Sequence, residues 1–298
     1  MRELLKKLWI GSGNALSAIM SFFAVLFFSS HTVARKLRKK GKELNTSKKA
    51  FVLGNGPSLK EVLETPKLRK ELEEGDIIVT NRFATSDEFY KLKPAFYILM
   101  DPLFFDEQEI EKDITSKEMY EAFNKVDWQM TLFLPKEASL VVVNKYLHNP
   151  SVDVLLFNGT TIIGPSRFIN RMFRKGLGLP NSRNIILPAL MLMINFGYKN
   201  VYLYGAEFSW TKNFDVDPKD NKLFLNDRHF YKTNNVITVD PAYKFDKGYY
   251  RWSLESIAEM LKGTETIALY ASSVGVHVFN RTKGSFIDAF DYENPDMI

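Results

Sequence analysis

The chain has 298 residues, 45% of them apolar, which is enough for one large or two small domains and excludes global disorder. It contains no cysteine, and this excludes a disulfide framework and any cysteine-based metal site or nucleophile. The formal net charge is +5, but the basic residues are concentrated in residues 35–49, RKLRKKGKELNTSKK. A basic run beside an apolar run is typical of contact with an anionic membrane surface and not with nucleic acid.

The apolar run is at the N-terminus, where residues 8–30 carry no charge. A spanning helix needs roughly 20 mostly apolar residues, but the strongly apolar part, residues 16–28, is shorter than that. A spanning helix, a helix lying in the membrane plane and a helix docked on the protein's own core are all consistent with this pattern. A cleaved signal peptide is disfavoured, because no A-x-A-like site follows. The basic run predicts that the following domain lies on the cytoplasmic side. We therefore expect an anchor over residues 1–45 and a single domain over residues 46–298.

Beyond residue 49, short apolar runs alternate with helical patterns. The runs cover residues 50–53, 76–80, 95–100, 130–135, 152–157, 200–205 and 276–279. Such runs are typical of strands buried on both faces of a parallel sheet. Helices are predicted from residue 57 to about 74 and over residues 183–196, the second ending at Gly197. This order predicts an α/β fold with a doubly wound, mostly parallel, Rossmann-like sheet. Residues 209–251 are polar and poorly periodic, which predicts a lid-like loop.

Ligands of doubly wound folds bind at the carboxyl ends of the strands. The residues found there are rich in glycine, asparagine and aspartate. The candidates are Gly54, Asn55 and Gly56 after the first run, Asn81 and Arg82 after the second, Asp101 after the third, and Gly205 after the sixth.

The first of these turns lies within AFVLGNGPSLKEVLE, residues 50–64. Pro57 fits the first position of a helix, and Ser58 with Glu61 fits a capping box. The free N–H groups of a helix N-terminus favour an anion. However, the turn is not a G-x-G-x-x-G motif and lacks the lysine of a P-loop. The residues alone leave two interpretations open, an anion-binding turn and a tight strand-to-helix corner.

Four segments follow one another in the chain: FVLGNGPSLKE, IIVTNRF, FYILMDPLFF and GYKNVYLYGAEF. Together they resemble the small bacterial sialyltransferases whose sequence opens with G-N-G-P-S-L. The motility accessory factor proteins, which handle related nonulosonic acids, share a similar core. The resemblance covers roughly residues 50–285. It implies a GT-A-like variant of the fold and an inverting transfer of a sialic-acid-like sugar from a CMP-activated donor. It also implies a surface glycan or glycolipid acceptor at the cytoplasmic face of the bacterial inner membrane.

The resemblance assigns the donor nucleotide to the strand ends. Asn81 matches an asparagine that contacts the nucleotide in that family, with Arg82 beside it. Asp101 stands where the family usually has asparagine; a carboxylate there suits a ribose hydroxyl or the cytosine amino group and would repel a phosphate. Gly205 follows the matching strand. The phosphate and ribose are assigned to the opening turn, Gly54, Asn55, Gly56, Pro57 and Ser58.

The resemblance also implies two catalytic residues. Arg183 in NSRN resembles an arginine that orients substrate near the reacting centre, although the T-S-G that follows it in the family is missing. His229 in NDRHFYKTN stands near the family's general base, and a histidine with a near-neutral pKa suits removal of a hydroxyl proton. The family's two leaving-group tyrosines are missing from GAEFSWTKNF. The candidates to replace them are Tyr231, Tyr243, Tyr249 and Tyr250.

A donor of this kind loses a single phosphate group, so we expect neither a metal ion nor a cofactor beyond the CMP-sugar. The one D-x-D triplet, residues 215–217, lies in the polar loop and is interpreted as a solvated feature. Two other functions remain open, a pterin diphosphokinase that uses ATP and a metal, and a non-catalytic nucleotide-binding protein of surface-polymer assembly. The sequence leaves the oligomeric state open, a homo-oligomer included.

Overall fold

The computed structural model describes residues 2–225 and 248–297 of the chain. Its centre is an eight-stranded sheet with the strand order β10-β9-β6-β1-β2-β3-β4-β5, and every neighbouring pair is parallel. The remaining two strands, β7 and β8, form an antiparallel hairpin. The strands are β1 Ala50–Leu53, β2 Asp76–Thr80, β3 Phe96–Ile98, β4 Met130–Pro135, β5 Val152–Phe157, β6 Asn200–Tyr204, β7 Phe214–Asp217, β8 Lys222–Leu225, β9 His277–Asn280 and β10 Asp291–Tyr292.

Helices cover both faces of the sheet, and each face has its own buried apolar cluster. This is the predicted doubly wound α/β fold, and each of the seven predicted strands is present. The helices are α1 Arg2–Phe28, α2 His31–Glu43, α3 Leu59–Glu64, α4 Pro66–Glu73, α5 Glu88–Leu92, α6 Glu107–Lys112, α7 Ile114–Asn124, α8 Leu140–Tyr146, α9 Ser166–Arg174, α10 Ile186–Phe196, α11 Trp210–Asn213 and α12 Tyr249–Ser273.

The most apolar helix is the most deeply buried. Ten of the 11 residues of α10 are buried, as expected of a helix that is hydrophobic on all sides. It ends where the sequence predicts, because Gly197 adopts a left-handed conformation with φ of 96° that a glycine reaches without steric cost.

Three local predictions need correction. The single helix expected from residue 57 is two helices, α3 and α4, because Pro66 cannot continue a helix and starts a new one after the extended Thr65. The capping box is absent, since the Ser58 side chain makes no capping hydrogen bond. The expected lid is partly regular, with α11 and the β7–β8 hairpin over residues 210–225; residues 226–247 lie outside the described part of the chain.

The N-terminal residues form two helices. Residues 35–43 of the basic run are part of α2, whose buried residues Ala34, Leu37 and Gly41 pack on the domain. A Cβ on Gly41 would lie 3.0 Å from the Phe196 ring. Within the described ranges, no single helix is long and apolar enough to cross a membrane. The segments Ala15–Phe28 and His31–Glu43 meet those length and composition criteria only as a pair, and they are bent by 87° relative to each other.

A buried ion-pair network lies at the end of β9. The Arg281 side chain is 2% exposed and pairs with Glu71 and Glu293, each at 2.9 Å. Its guanidinium also lies 3.8 Å from the centre of the Tyr202 ring. Burial alone would raise the pKa of Glu71, but Lys49 and Arg281 outweigh it and hold that pKa below its usual value. The network therefore contributes fully at neutral pH and weakens as acid protonates Glu71.

We predict that Arg281→Ala lowers the free energy of unfolding by about 2–5 kcal/mol, because it removes a buried side chain that packs on Tyr202 and one of the two cations that pair with Glu71. Urea denaturation at neutral pH measures this change. The matched control is Arg251→Ala, since Arg251 forms an exposed pair with Glu255 on α12 and should cost less than about 1 kcal/mol. Equal effects of the two substitutions would contradict a structural role for the buried network.

Candidate functional site

A pocket lies where the strand order reverses. Strands β2 to β5 extend to one side of β1, and β6, β9 and β10 extend to the other. In doubly wound folds this switch point, at the carboxyl ends of the strands, is where ligands bind. The pocket has a volume of about 170 Å³ and is lined by residues 54–57, 80–81, 184–186, 205–210 and 213. Six of the predicted donor-site residues line it, namely Gly54, Asn55, Gly56, Pro57, Asn81 and Gly205.

Close backbone contact between β1 and β6 explains two of the glycines. The Gly54 amide donates to the Tyr204 carbonyl, and the Gly56 amide donates to the Gly205 carbonyl, each at 2.8 Å. A Cβ on Gly54 would lie only 2.3 Å from the Gly205 carbonyl oxygen. Gly205 also has φ of 64°, which side-chain-bearing residues rarely adopt. The turn is therefore a tight corner whose glycines are required by the neighbouring strand.

The same turn also holds an anion, and that anion belongs to the chain. The Ser58 amide at the start of α3 donates to Glu207 Oε1 at 2.8 Å. The other carboxylate oxygen occupies the space beside Gly56, where a Cβ would lie 1.5 Å from Glu207 Oε2. The sequence places Glu207 directly after β6, at a strand end, but it does not predict the contact of this carboxylate with the Ser58 amide. Both interpretations of the turn therefore hold, and the anion site of α3 is filled by Glu207.

Asn55 lines the pocket and is almost completely buried. Its residue exposure is 9%, and its Nδ2 donates to the Thr80 carbonyl at 3.0 Å. Its Oδ1 is buried and has no hydrogen-bond partner within residues 2–225 and 248–297. An unsatisfied buried acceptor costs roughly 1–3 kcal/mol. A ligand that donates a hydrogen bond, such as a hydroxyl or an amino group, would remove this cost.

Asn81 reaches the pocket through an unusual backbone conformation. Its φ is 51°, in the left-handed region that asparagine tolerates better than most residues. Its carbonyl accepts a hydrogen bond from the Tyr97 hydroxyl, which fixes the turn after β2. Asn81, at the end of β2, and the Gly54–Pro57 turn, at the end of the neighbouring strand β1, therefore line the same pocket.

Other predicted site residues are placed elsewhere. Arg82 pairs with Asp113 at 3.2 Å, and Asp101 is exposed and accepts from the Leu103 amide at 3.0 Å. Ser58 does not line the pocket, although its amide donates to the lining residue Glu207. Arg183 lies next to the pocket-lining Asn184, is 47% exposed, and pairs with Glu259 at 3.0 Å. His229 lies outside the described residues.

The pocket lining within the described residues is polar but carries little charge. Glu207 is its one ionisable side chain, and the described lining includes neither lysine nor arginine. The rings of Phe208 and Trp210, 4.8 Å apart, lie at one side and provide an aromatic surface on which a planar base can stack. The D-x-D triplet lies in β7, away from this lining. Over the same described ranges, no group of three or more His, Asp or Glu residues is placed to hold a metal ion.

One solved structure with a similar arrangement is the MAf glycosyltransferase from Magnetospirillum magneticum AMB-1. The two proteins share 12% sequence identity and superpose with a TM-score of 0.48. The match covers 84% of this chain and 34% of the other, so this chain spans about a third of that protein's length. No protein-family model and no curated protein matches the chain. A likeness this distant carries no functional assignment, and the function must be inferred from the pocket.

We predict that Gly54→Ala destabilises the protein by about 3 kcal/mol or more, because the new Cβ would force β1 and β6 apart at the pocket floor. Thermal or urea unfolding measures the loss. Gly159→Ala is the matched control, since a Cβ there meets nothing within 4 Å. If both variants are as stable as the original chain, the close contact of Gly54 and Gly205 is not required.

Proposed function

We propose that the protein is a glycosyltransferase that moves a sialic-acid-like sugar from a CMP-activated donor to a glycan acceptor, with inversion and without a metal ion. One observation carries this proposal: Asn55 lines a pocket at the strand-order switch point, and its buried Oδ1 has no hydrogen-bond partner among the described residues. The position favours a nucleotide. The free acceptor favours the hydrogen-bond donors of a nucleoside, the ribose hydroxyls and the cytosine amino group.

The charge and size of the pocket favour a monophosphate donor. Polyphosphate sites usually gather lysine, arginine or free helix N-termini. Here the described lining has no basic side chain, and Glu207 occupies the N-terminus of α3. The volume of about 170 Å³ is below the roughly 300 Å³ at which typical whole-ligand pockets begin. The pocket therefore suits the nucleoside part of the donor, with the phosphate and sugar extending outwards.

In this reaction, an acceptor hydroxyl attacks the anomeric carbon from the face opposite the phosphate. The new carbon–oxygen bond forms as the bond to the phosphate breaks, which inverts the carbon and releases CMP with the bonding electrons. His229 is the proposed base for the hydroxyl proton. Arg183 is the proposed partner of the departing phosphate. Its half-exposed pair with Glu259 is weak enough, at roughly 0–1 kcal/mol, for a phosphate to replace the carboxylate.

A panel of thermal shifts with CMP, CDP, UDP and ATP, followed by two variants, tests this function. We expect CMP to stabilise the protein most. Asn55→Ala should weaken CMP binding by about ten-fold or more, because it removes a buried acceptor, whereas His229→Ala should keep CMP binding and abolish sugar transfer. Asn170→Ala is the control, since Asn170 is bound to Ser273 on α12 and does not line the pocket. A shift with ATP and magnesium but not with CMP would contradict the proposal.

We also propose that the protein acts at the cytoplasmic face of a bacterial inner membrane. Helix α1 exposes a row of large apolar side chains, each at least half exposed: Leu16, Ile19, Met20, Phe22, Phe23, Leu26, Phe27 and Phe28. An exposed apolar row of this size marks an interaction surface. It is too close to the domain to be a free span, because Ala18 of α1 would lie 3.1 Å from a Cβ on Gly164. An in-plane helix fits this arrangement.

Basic side chains flank the apolar row. Helix α9 and the residue after it expose Arg167, Arg171, Arg174 and Lys175. Within residues 2–225 and 248–297, none of these four forms an ion pair with a carboxylate. Arg38 of α2 donates to the Lys175 carbonyl, so the basic residues of α2 and α9 lie side by side. An apolar row beside unpaired cations complements an anionic lipid surface.

We predict that replacing Met20 and Phe27 together with glutamate lowers binding to vesicles of phosphatidylglycerol by about ten-fold or more. Both side chains are at least 66% exposed, so stability should not change, while each apolar side chain removed from the lipid costs roughly 1.5–3 kcal/mol. Vesicle co-sedimentation measures the bound fraction. The control is Ile114→Glu with Val141→Glu, two exposed positions on α7 and α8. Unchanged binding of the α1 variant would contradict the membrane assignment.

A further inference from the structure

A second cavity lies along the same edge of the sheet as the donor pocket. It is a groove of about 500 Å³ between α1 and the carboxyl ends of β3, β4 and β5. Met100, Pro135 and Phe157 form its sheet side, and Ala24 and Phe28 form its α1 side. Because all eight strands are parallel, this groove and the donor pocket open on the same edge. The sequence gives no sign of it, since it requires α1 to be docked on the domain.

The groove leads from the apolar row of α1 towards the donor pocket. Phe28 belongs to both the groove and the apolar row. Asn181 and Ser182 also line the groove, and Asn184, two residues on, lines the donor pocket. Arg183, the proposed partner of the donor phosphate, lies between them. A molecule in the groove would therefore have one end at the proposed membrane surface and the other beside the donor.

Helix α1 is held in place along the groove by hydrogen bonds. Ser21 Oγ donates to the Ile163 carbonyl at 2.8 Å and accepts from the Ile163 amide at 2.9 Å. Ser29 Oγ donates to Thr160 Oγ1 at 2.9 Å, and the Ser30 amide donates to Asn158 Oδ1 at 2.7 Å. These bonds fix α1 against residues 158–163, so the gap between α1 and the sheet edge is a built feature of the domain.

We propose that this groove binds the lipid end of a lipid-linked acceptor whose glycan extends to the donor pocket. The proposal rests on the proposed glycosyltransferase function and specifies its acceptor class. Two features favour this occupant. The groove walls at α1, Ala24 and Phe28, are apolar, and Phe28 joins the groove to the apolar row that is proposed to contact lipid. The rest of the lining includes polar side chains and the carboxylate of Glu137, and these suit the glycan part of the acceptor.

Gly159 provides a precise way to close the groove. It lines the cavity, and a Cβ placed on it meets nothing within 4 Å. Its φ is outside the left-handed range, so a larger residue fits without backbone strain. Gly159→Trp therefore adds a large side chain to the groove lining with no clash at its Cβ. Thr161→Phe, at an exposed residue that also lines the groove, is a second variant with the same purpose.

The test uses dodecyl phosphate that carries a diazirine on its alkyl chain, cross-linked by light to the full-length protein. We expect the label on peptides that contain residues 24–28 and 157–161, with about a ten-fold or greater loss in Gly159→Trp and in Thr161→Phe. The control is Val141→Trp, which adds the same side chain at an 83% exposed site on α8 and should leave labelling unchanged. Inorganic phosphate should not compete, because the alkyl chain supplies the binding energy.

Binding of CMP, followed by thermal shift in the same variants, separates this inference from the proposed function. We expect Gly159→Trp to keep the CMP shift of the original chain while losing the label. Full labelling of both groove variants would overturn the acceptor groove even if CMP binds. Label confined to the outer face of α1, or cross-links between two copies of the chain, would overturn it as well. If CMP does not raise the melting temperature of the unchanged protein, the proposed CMP-activated donor is contradicted instead.

Discussion

The close approach of the β1 and β6 backbones is the constraint on which the site depends. Gly54 and Gly205 allow the two strand ends to meet where a single Cβ would lie 2.3 Å from a carbonyl oxygen. This contact brings Glu207, just after β6, to the start of α3, where its carboxylate accepts from the Ser58 amide. The N-terminus of α3 is thereby occupied by a carboxylate of the chain itself. Asn55 lines the adjoining pocket; its Nδ2 donates to the Thr80 carbonyl, and its Oδ1 has no partner within the described ranges. We propose that this oxygen accepts a hydrogen bond from the donor nucleotide.

The two cavities at the carboxyl edge of the sheet allow the proposed donor and acceptor to approach from different sides. The donor pocket lies over β6, β1 and β2, and the acceptor groove lies over β3, β4 and β5. Arg183 lies in the segment that joins them. Helix α1 closes the groove on the far side and presents its apolar row outwards. An acceptor drawn from a membrane surface and a donor drawn from solution would then meet near residues 181–184, without either substrate crossing the other's binding site.

The sequence predicts the sheet well because the strands are buried on both faces, and continuous apolar runs are a strong local signal. Helix α10 is predicted for the same reason. The site is less predictable, since it is decided by contacts between distant segments. Arg82 follows β2, but its guanidinium pairs with Asp113 at the start of α7. The contact of Glu207 was not predicted, because its partner, the Ser58 amide, is 149 residues away in the chain. The break between α3 and α4 is the exception, because Pro66 is itself a local signal that one helix ends and another begins.

The most direct measurement of the central claim is a crystal structure of the protein with CMP bound. We expect CMP to bind at the switch point between β1 and β6, with a ribose hydroxyl or the cytosine amino group about 2.7–3.2 Å from Asn55 Oδ1. Glu207 should remain bound to the Ser58 amide, with the CMP phosphate directed towards Arg183. CMP bound elsewhere, or a CMP phosphate that displaces Glu207 from the start of α3 while Asn55 Oδ1 stays unpartnered, would contradict the account.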